Sequence, residues 1–154
     1  MKKLGFGCMR LPLLDKSDNK SIDIEQVKKM LDFFIENGFT YFDTAYMYHD
    51  HQSESTVKKV LVDRYPRDKF LLATKLPTMN LKEKGDVERI FNEQLEKTGA
   101  GYFDYYLMHC LDRELYPVLE RCGGFEFGMK MKKQGKIKNL VFPFTIPPMY
   151  LIKF

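Results

Sequence analysis

The sequence predicts an α/β protein, part of an eight-fold βα barrel with about four βα units and a fifth strand. Three observations predict it. Short apolar runs alternate with segments of helical period. The runs begin near positions 5, 39, 70, 104 and 137, a spacing of about 33 residues against the roughly 31 per unit of a 250-residue barrel. Three successive runs end on a polar side chain that can carry charge: Asp43, Lys75 and His109. An open doubly wound sheet would alternate in the same way. The tips favour the barrel, whose active sites are built from the C-terminal ends of several neighbouring strands.

Taken in order, Leu4 to Leu11 reads as the first strand, with Gly5 and Gly7 allowing close approach of another backbone or a ligand. Ile24, Val27, Met30, Leu31, Phe34 and Ile35 fall at helical spacing, with Asp23 as N-cap and Asn37-Gly38 as stop signal. Phe39 to Phe42 is the second strand. The loop carrying Tyr48, His49, Asp50 and His51 follows, before Ser53 caps a helix through Val57, Val60 and Leu61 to Pro66. Phe70 to Lys75 is the third strand, stopped by Pro77, and Val87, Ile90, Phe91 and Leu95 mark a helix ending at Gly99. Tyr102 to Met108 is the fourth strand with His109 at its tip. Tyr116 to Lys133 reads as mostly helical, weakened by Gly123-Gly124, and Ile137 to Val141 begins the fifth strand.

With 154 residues, 44% of them hydrophobic, the chain can bury one sizeable core. The net charge of +4 is modest, and the lysines from Lys130 to Lys138 lack interleaved stacking aromatics, so no nucleic-acid partner is expected. Cys8, Cys110 and Cys122 are odd in number and far apart, the pattern of buried thiols in a reducing cytoplasm and not of a disulfide framework or zinc ribbon. The N-terminal segment Met1-Lys-Lys-Leu-Gly-Phe-Gly has glycines where a signal peptide carries its apolar stretch, and no run approaches the roughly 18 apolar residues of a membrane span. A cytoplasmic protein without a membrane partner is expected.

Asp43 interrupts an apolar strand, and a buried carboxylate needs a cation. Lys75, one strand on, supplies it. An ammonium held near the Tyr48 hydroxyl would favour the phenolate and draw a tyrosine pKa down from about 10, which would make Tyr48 a usable general acid near neutral pH. His109 would hydrogen-bond a substrate oxygen. A proton donor beside a carbonyl oxygen calls for a hydride donor on the carbon side. Tyr41, Tyr46, Tyr102, Tyr105 and Tyr106 read as strand or core aromatics. His49, Asp50 and His51 could instead serve a metal-dependent barrel hydrolase, although their spacing is not that of known sites and no metal is assigned.

Phe42-Asp-Thr-Ala-Tyr-Met-Tyr48, Ala73-Thr-Lys75 and Tyr106-Leu-Met-His109 resemble the catalytic segments of the aldo-keto reductases, TIM (β/α)8 barrel enzymes that reduce carbonyls with NADPH or NADH. The resemblance implies a catalytic tetrad of Asp43, Tyr48 as proton donor, Lys75 and His109, acting on a small-molecule aldehyde or ketone. Leu4-Gly-Phe-Gly-Cys-Met-Arg-Leu-Pro12 also matches, and implies that Gly7, Cys8 and Met9, with Asp43, contact the cofactor near the nicotinamide ribose. With Gly124-Phe-Glu-Phe127 and Gly135-Lys-Ile-Lys-Asn-Leu140, the pattern resembles most the bacterial branch often fused to a ferredoxin-like iron–sulfur domain. No matching cysteine cluster is present, so no iron–sulfur cluster is expected in this chain.

The resemblance covers residues 1–140 and fails over 141–154, where the family's Gly-Phe-Ser is replaced by a proline-rich segment containing Pro143, Pro147 and Pro148. A gene interrupted or shifted in frame is the expectation, giving a truncated form with the tetrad present and most of the dinucleotide site absent. Open strand edges on such a half barrel invite self-association. A non-catalytic binding or regulatory module on the same scaffold is the alternative function.

Overall fold

The computed structural model describes residues 2–142. Five parallel strands, β1 (Gly5–Gly7), β2 (Tyr41–Asp43), β3 (Leu71–Leu76), β4 (Phe103–Met108) and β5 (Ile137–Val141), form one sheet in the order β1-β2-β3-β4-β5. The crossovers carry α1 (Ile24–Glu36), α2 (Ser53–Val57) continued by a π-helical turn (Lys58–Val62), α3 (Lys84–Thr98), and the pair α4 (Leu115–Arg121) and α5 (Gly124–Lys133). A doubly wound sheet reverses its strand order at a switch point. This sheet advances in one direction throughout, the arrangement of a partial barrel, with β1 and β5 at its two edges. Among the described residues no helix is long and apolar enough to cross a membrane.

The helix layer is held by the side chains that β2, β3 and β4 turn towards it. Phe42 meets Phe34 of α1 edge-on, and Tyr106 meets Phe91 of α3 in the same way. Leu72, Leu76 and Met108 join Val27, Leu31, Leu61, Ile90 and Phe91 in one core. Helix α1 forms as its pattern predicts. The Asp23 carboxylate accepts the Gln26 N–H at 3.0 Å, and Gly38 at φ +75° turns the chain out of the helix.

Several boundaries differ from the sequence reading, β3 and β4 each by one residue, so that β3 runs one residue past Lys75. The first strand is only Gly5–Gly7, because Cys8–Arg10 forms a 3-10 turn and the Leu11 N–H goes to the His49 ring at 3.1 Å, not into the sheet. The second strand begins at Tyr41 and includes Asp43, which pairs in register with Gly7. Ser53 does not cap α2. It is the first residue of the helix, buried, and its hydroxyl bonds Thr44 Oγ1 at 2.8 Å. The segment from Tyr116 to Lys133 is two helices, since Gly123 takes the left-handed conformation (φ +72°) between them. β5 runs to Val141, one residue into the segment expected to diverge, and Pro143 and the residues after it lie outside the described residues.

Gly124, at the start of α5, has no room for a side chain. A Cβ there would stand 2.1 Å from Leu119 Cδ1 and 2.9 Å from its Cγ, and Leu119 is fully buried, with nowhere to move. Gly124→Ala is therefore expected to destabilise the fold by about 1–3 kcal/mol through overpacking of the α4–α5 turn. Denaturant unfolding followed by circular dichroism would measure it.

Candidate active site

β2, β3 and β4 end side by side, and their last inward side chains meet. Lys75 Nζ donates to Asp43 Oδ1 at 2.5 Å and to the Thr44 carbonyl at 2.7 Å. The same ammonium lies 4.9 Å from the centroid of the Tyr48 ring. The Tyr48 and His109 rings are 6.3 Å apart and nearly perpendicular. Asp43, Tyr48, Lys75 and His109 thus form one cluster. The Lys75 side chain is only 11% exposed, and removing either charge of such a pair leaves the other stranded. The Thr44 carbonyl is a second acceptor that the sequence reading did not assign.

Tyr48 is delivered by an unusual turn. His49, Asp50 and His51 all have positive φ (52°, 48° and 71°), a conformation costing roughly 1–2 kcal/mol for each L-residue. The surrounding structure offsets this cost. His49 is buried, its Nε2 accepts the Leu11 N–H, and Nδ1 is left to donate to the Asn19 carbonyl at 3.0 Å. His51 Nδ1 bonds the Tyr46 carbonyl at 2.9 Å. Both His49 nitrogens therefore serve the fold, tying the segment after β1 to the Tyr48 turn, and neither is free for a metal ion. This removes the His49–Asp50–His51 set as a metal centre. Among the described residues no group of three or more His, Cys, Asp or Glu side chains is placed to hold a metal.

His109 directly follows β4, and Cys110 at φ +54° turns the chain away after it. Its Nδ1 is fully buried without a hydrogen-bond partner. Burial holds the imidazole below its ordinary value of 6.5, and the Lys75 ammonium adds to this while Asp43 opposes it. A neutral ring with its proton on Nε2 leaves only a lone pair unmatched in the interior, a smaller cost than an unmatched N–H. His109 is thus set up as a donor towards the solvent side of the site. Because the folded value lies below the unfolded one, stability declines as pH falls below about 6.5, where the unfolded imidazole takes up a proton first. An NMR titration of His109 is expected to give a midpoint below 6.5, rising in Lys75→Met, where the remaining Asp43 carboxylate pushes in the same upward direction.

Tyr41 shares this inner face, edge-on to Tyr105 at 5.4 Å. Burial and the Asp43 carboxylate push its phenol up to about 12, which removes it as an acid near neutral pH. Of the four residues assigned to the cofactor, Cys8 is buried, Asp43 is half-buried, and Gly7 and Met9 are exposed. Burial, then Asp43, push the Cys8 thiol up to about 12, against Lys75, so it stays an inert thiol. Gly7 pairs with Asp43 in the sheet, and a Cβ on it would meet nothing within 4 Å. The site is open above that glycine.

A polar group behind Lys75 was not foreseen in the sequence reading: Glu54, Thr74 and Gln94, joined by Tyr106, which is the core strand aromatic it was read as. Glu54 accepts from Thr74 Oγ1 and from Gln94 Nε2, each at 2.7 Å. One signal was available. Glu54 stands three residues before Val57 and seven before Leu61, on the apolar stripe of its helix.

The family model for the aldo/keto reductase family matches residues 3–142. The chain belongs to the aldo-keto reductase family. A probable aldo-keto reductase 1 of Glycine max is 30% identical over 148 residues, 91% of this chain and 40% of that protein. A putative aryl-alcohol dehydrogenase, AAD6, of Saccharomyces cerevisiae is 38% identical over 58 residues, 38% of this chain and 27% of that protein. The chain thus spans less than half the length of these curated relatives. Among solved structures, the thermostable aldo-keto reductase Tm1743, in complex with the inhibitor epalrestat, superposes with a TM-score of 0.67 at 24% identity, over 90% of this chain and 47% of that one. An aldo-keto reductase of Klebsiella pneumoniae in complex with NADPH gives 0.64 at 24% identity, over 90% and 44%. At these identities the structural likeness speaks for the barrel fold of the aldo-keto reductase chain.

Proposed function

We propose that this aldo-keto reductase chain carries the acid–base half of a nicotinamide-dependent carbonyl reduction, converting an aldehyde or ketone to an alcohol. The observation that carries the reading is the Lys75 ammonium, held between the Asp43 carboxylate and the face of the Tyr48 ring. Tyr48 gives its proton to the carbonyl oxygen. Lys75 stabilises the negative charge that the phenol develops as the proton leaves, and Asp43 with the Thr44 carbonyl fixes where that ammonium sits. His109, neutral with its proton on Nε2, donates to the same carbonyl oxygen and orients it. When bound, the nicotinamide supplies the hydride to the carbonyl carbon. Solvent returns a proton to Tyr48 afterwards.

Gly7, Cys8, Met9 and Asp43 are the residues proposed to hold the nicotinamide end of NADPH or NADH. The fit rests on the open space above Gly7, which lies beside Asp43 in the sheet register, and on the exposed backbone of a strand end without a side chain in the way. A reducing, cytoplasmic setting fits the three free thiols, of which Cys8 and Cys122 are buried as expected while Cys110 is exposed. Titrating the chain into NADPH and into NADH while following nicotinamide fluorescence tests the proposal. A saturable change that a carbonyl compound then modifies is expected. An intact fold with no change for either dinucleotide would count against it.

A further inference from the structure

Glu54 takes no part in the acid–base step, yet it is a carboxyl with no exposed surface. It lies on α2, the helix that follows the Tyr48 turn, and faces β3 at Thr74, the residue before Lys75. Gln94 of α3 joins the same point: its Nε2 lies 2.7 Å from Glu54 Oε1, 3.1 Å from Thr74 Oγ1 and 3.1 Å from the Lys75 carbonyl. Gln94 Oε1 in turn accepts from the Tyr106 hydroxyl of β4 at 2.7 Å. Four elements are thus bonded together directly behind the Lys75 backbone.

We propose that Glu54 is a positioning residue, the group that, through Thr74 and Gln94, sets where β3 holds Lys75 relative to the loop carrying Tyr48. It does so as an uncharged acid. Both donors go to Oε1, while Oε2 is buried without a partner, the pattern of a carbonyl oxygen beside a carboxylic hydroxyl. A carboxylate would draw donors to both oxygens, and leaving one charged oxygen dry is far more costly than leaving one hydroxyl unmatched. Burial raises the Glu54 carboxyl above its ordinary range, against the hydrogen bonds from Thr74 and Gln94 and the charges of Lys97 on α3 and Lys75 on β3. The remaining titratable group facing it is the Tyr106 phenol of β4, itself raised by burial and by Glu54. The inference rests on the reading of Lys75 as part of the site.

The test uses the full chain with Glu54→Gln and Glu54→Leu, and two measurements that need neither cofactor nor turnover. Their failure is therefore separate from failure of the reductase reading. The first is the NMR titration of His109, whose midpoint feels the Lys75 charge. Glu54→Gln keeps the acceptor and the neutral state, so the midpoint is expected to stay at the wild-type value, while Glu54→Leu shifts it. If Glu54→Leu does not fold, Thr74→Val, which deletes one donor at nearly constant shape, replaces it with a shift expected in the same direction. The second is unfolding free energy against pH. An acid whose folded value is raised stabilises the fold fully below its ordinary 4.5 and loses that contribution as pH rises towards the folded value. Wild type is therefore expected to lose stability relative to Glu54→Gln as pH rises from about 4.5. A difference flat across that range, a Glu54→Gln titration as displaced as that of Glu54→Leu, or an unmoved titration in the Leu and Val variants would overturn the proposal.

Discussion

Arg67→Ala is expected to lower the unfolding free energy by about 3–5 kcal/mol, the cost of stranding a buried charge, a large share of the 5–15 kcal/mol that holds a typical domain together. The guanidinium sits between β3 and β4 at the end of the sheet opposite the site. Its Nε donates to the Ala100 carbonyl at 3.2 Å, Nη1 to the Phe70 carbonyl at 3.0 Å, and Nη2 to the Tyr102 carbonyl at 2.9 Å and to Asp104 Oδ2 at 2.6 Å. The plane also lies 3.7 Å from the Tyr102 ring centroid and 4.8 Å from that of Phe70. Alanine would leave the buried Asp104 carboxylate with the Leu72 N–H at 2.8 Å but without its guanidinium, and three carbonyls would lose a partner. Arg67→Lys keeps the charge but cannot span four acceptors, so an intermediate loss is expected. Chemical denaturation with an unchanged m-value for both variants would locate the effect in the native state.

The largest effect expected on chemistry is that of Tyr48→Phe. The ring, and with it the Lys75 contact at 4.9 Å, remains, so folding and dinucleotide binding should be preserved. Only the hydroxyl is lost. Under the proposed function, turnover should fall by about 10²–10⁴-fold, the usual contribution of a positioned general acid. Single-turnover oxidation of the bound dinucleotide with an aldehyde would separate this loss from any change in binding. An equal fall in binding would instead mean that the phenol holds the ligand and does not supply the proton.

Much of this architecture was legible in the sequence because its period is physical. Apolar residues recur wherever a helix faces the sheet, so α1 could be read from Val27, Leu31 and Phe34 with Asp23 as its cap. Asp43, Lys75 and His109 could be read as strand tips because each breaks an apolar run at the same place in its unit. What was not legible came from bonds between distant segments. β1 is cut short by a hydrogen bond from Leu11 to His49, thirty-eight residues on. Ser53 looked like a cap and proved to be a buried partner of Thr44. Glu54 went unassigned, since a glutamate is rarely buried without a charged partner, and its hydrogen bonds come from Thr74 and Gln94, neither of them charged. His49 was given no role beyond an alternative metal set and is a brace for the Tyr48 turn.

The central claim is that Asp43, Tyr48, Lys75 and His109 work as one proton-delivering cluster against a nicotinamide hydride. Its most direct test is isotopic: the chain is incubated with NADPH carrying deuterium at both C4 positions of the nicotinamide and with an aldehyde, and the product is weighed by mass spectrometry. Wild type is expected to form an alcohol with deuterium on the carbinol carbon, and Tyr48→Phe to form it about 10²–10⁴-fold more slowly. Alcohol without the label, or label transferred equally by both proteins, would contradict the claim.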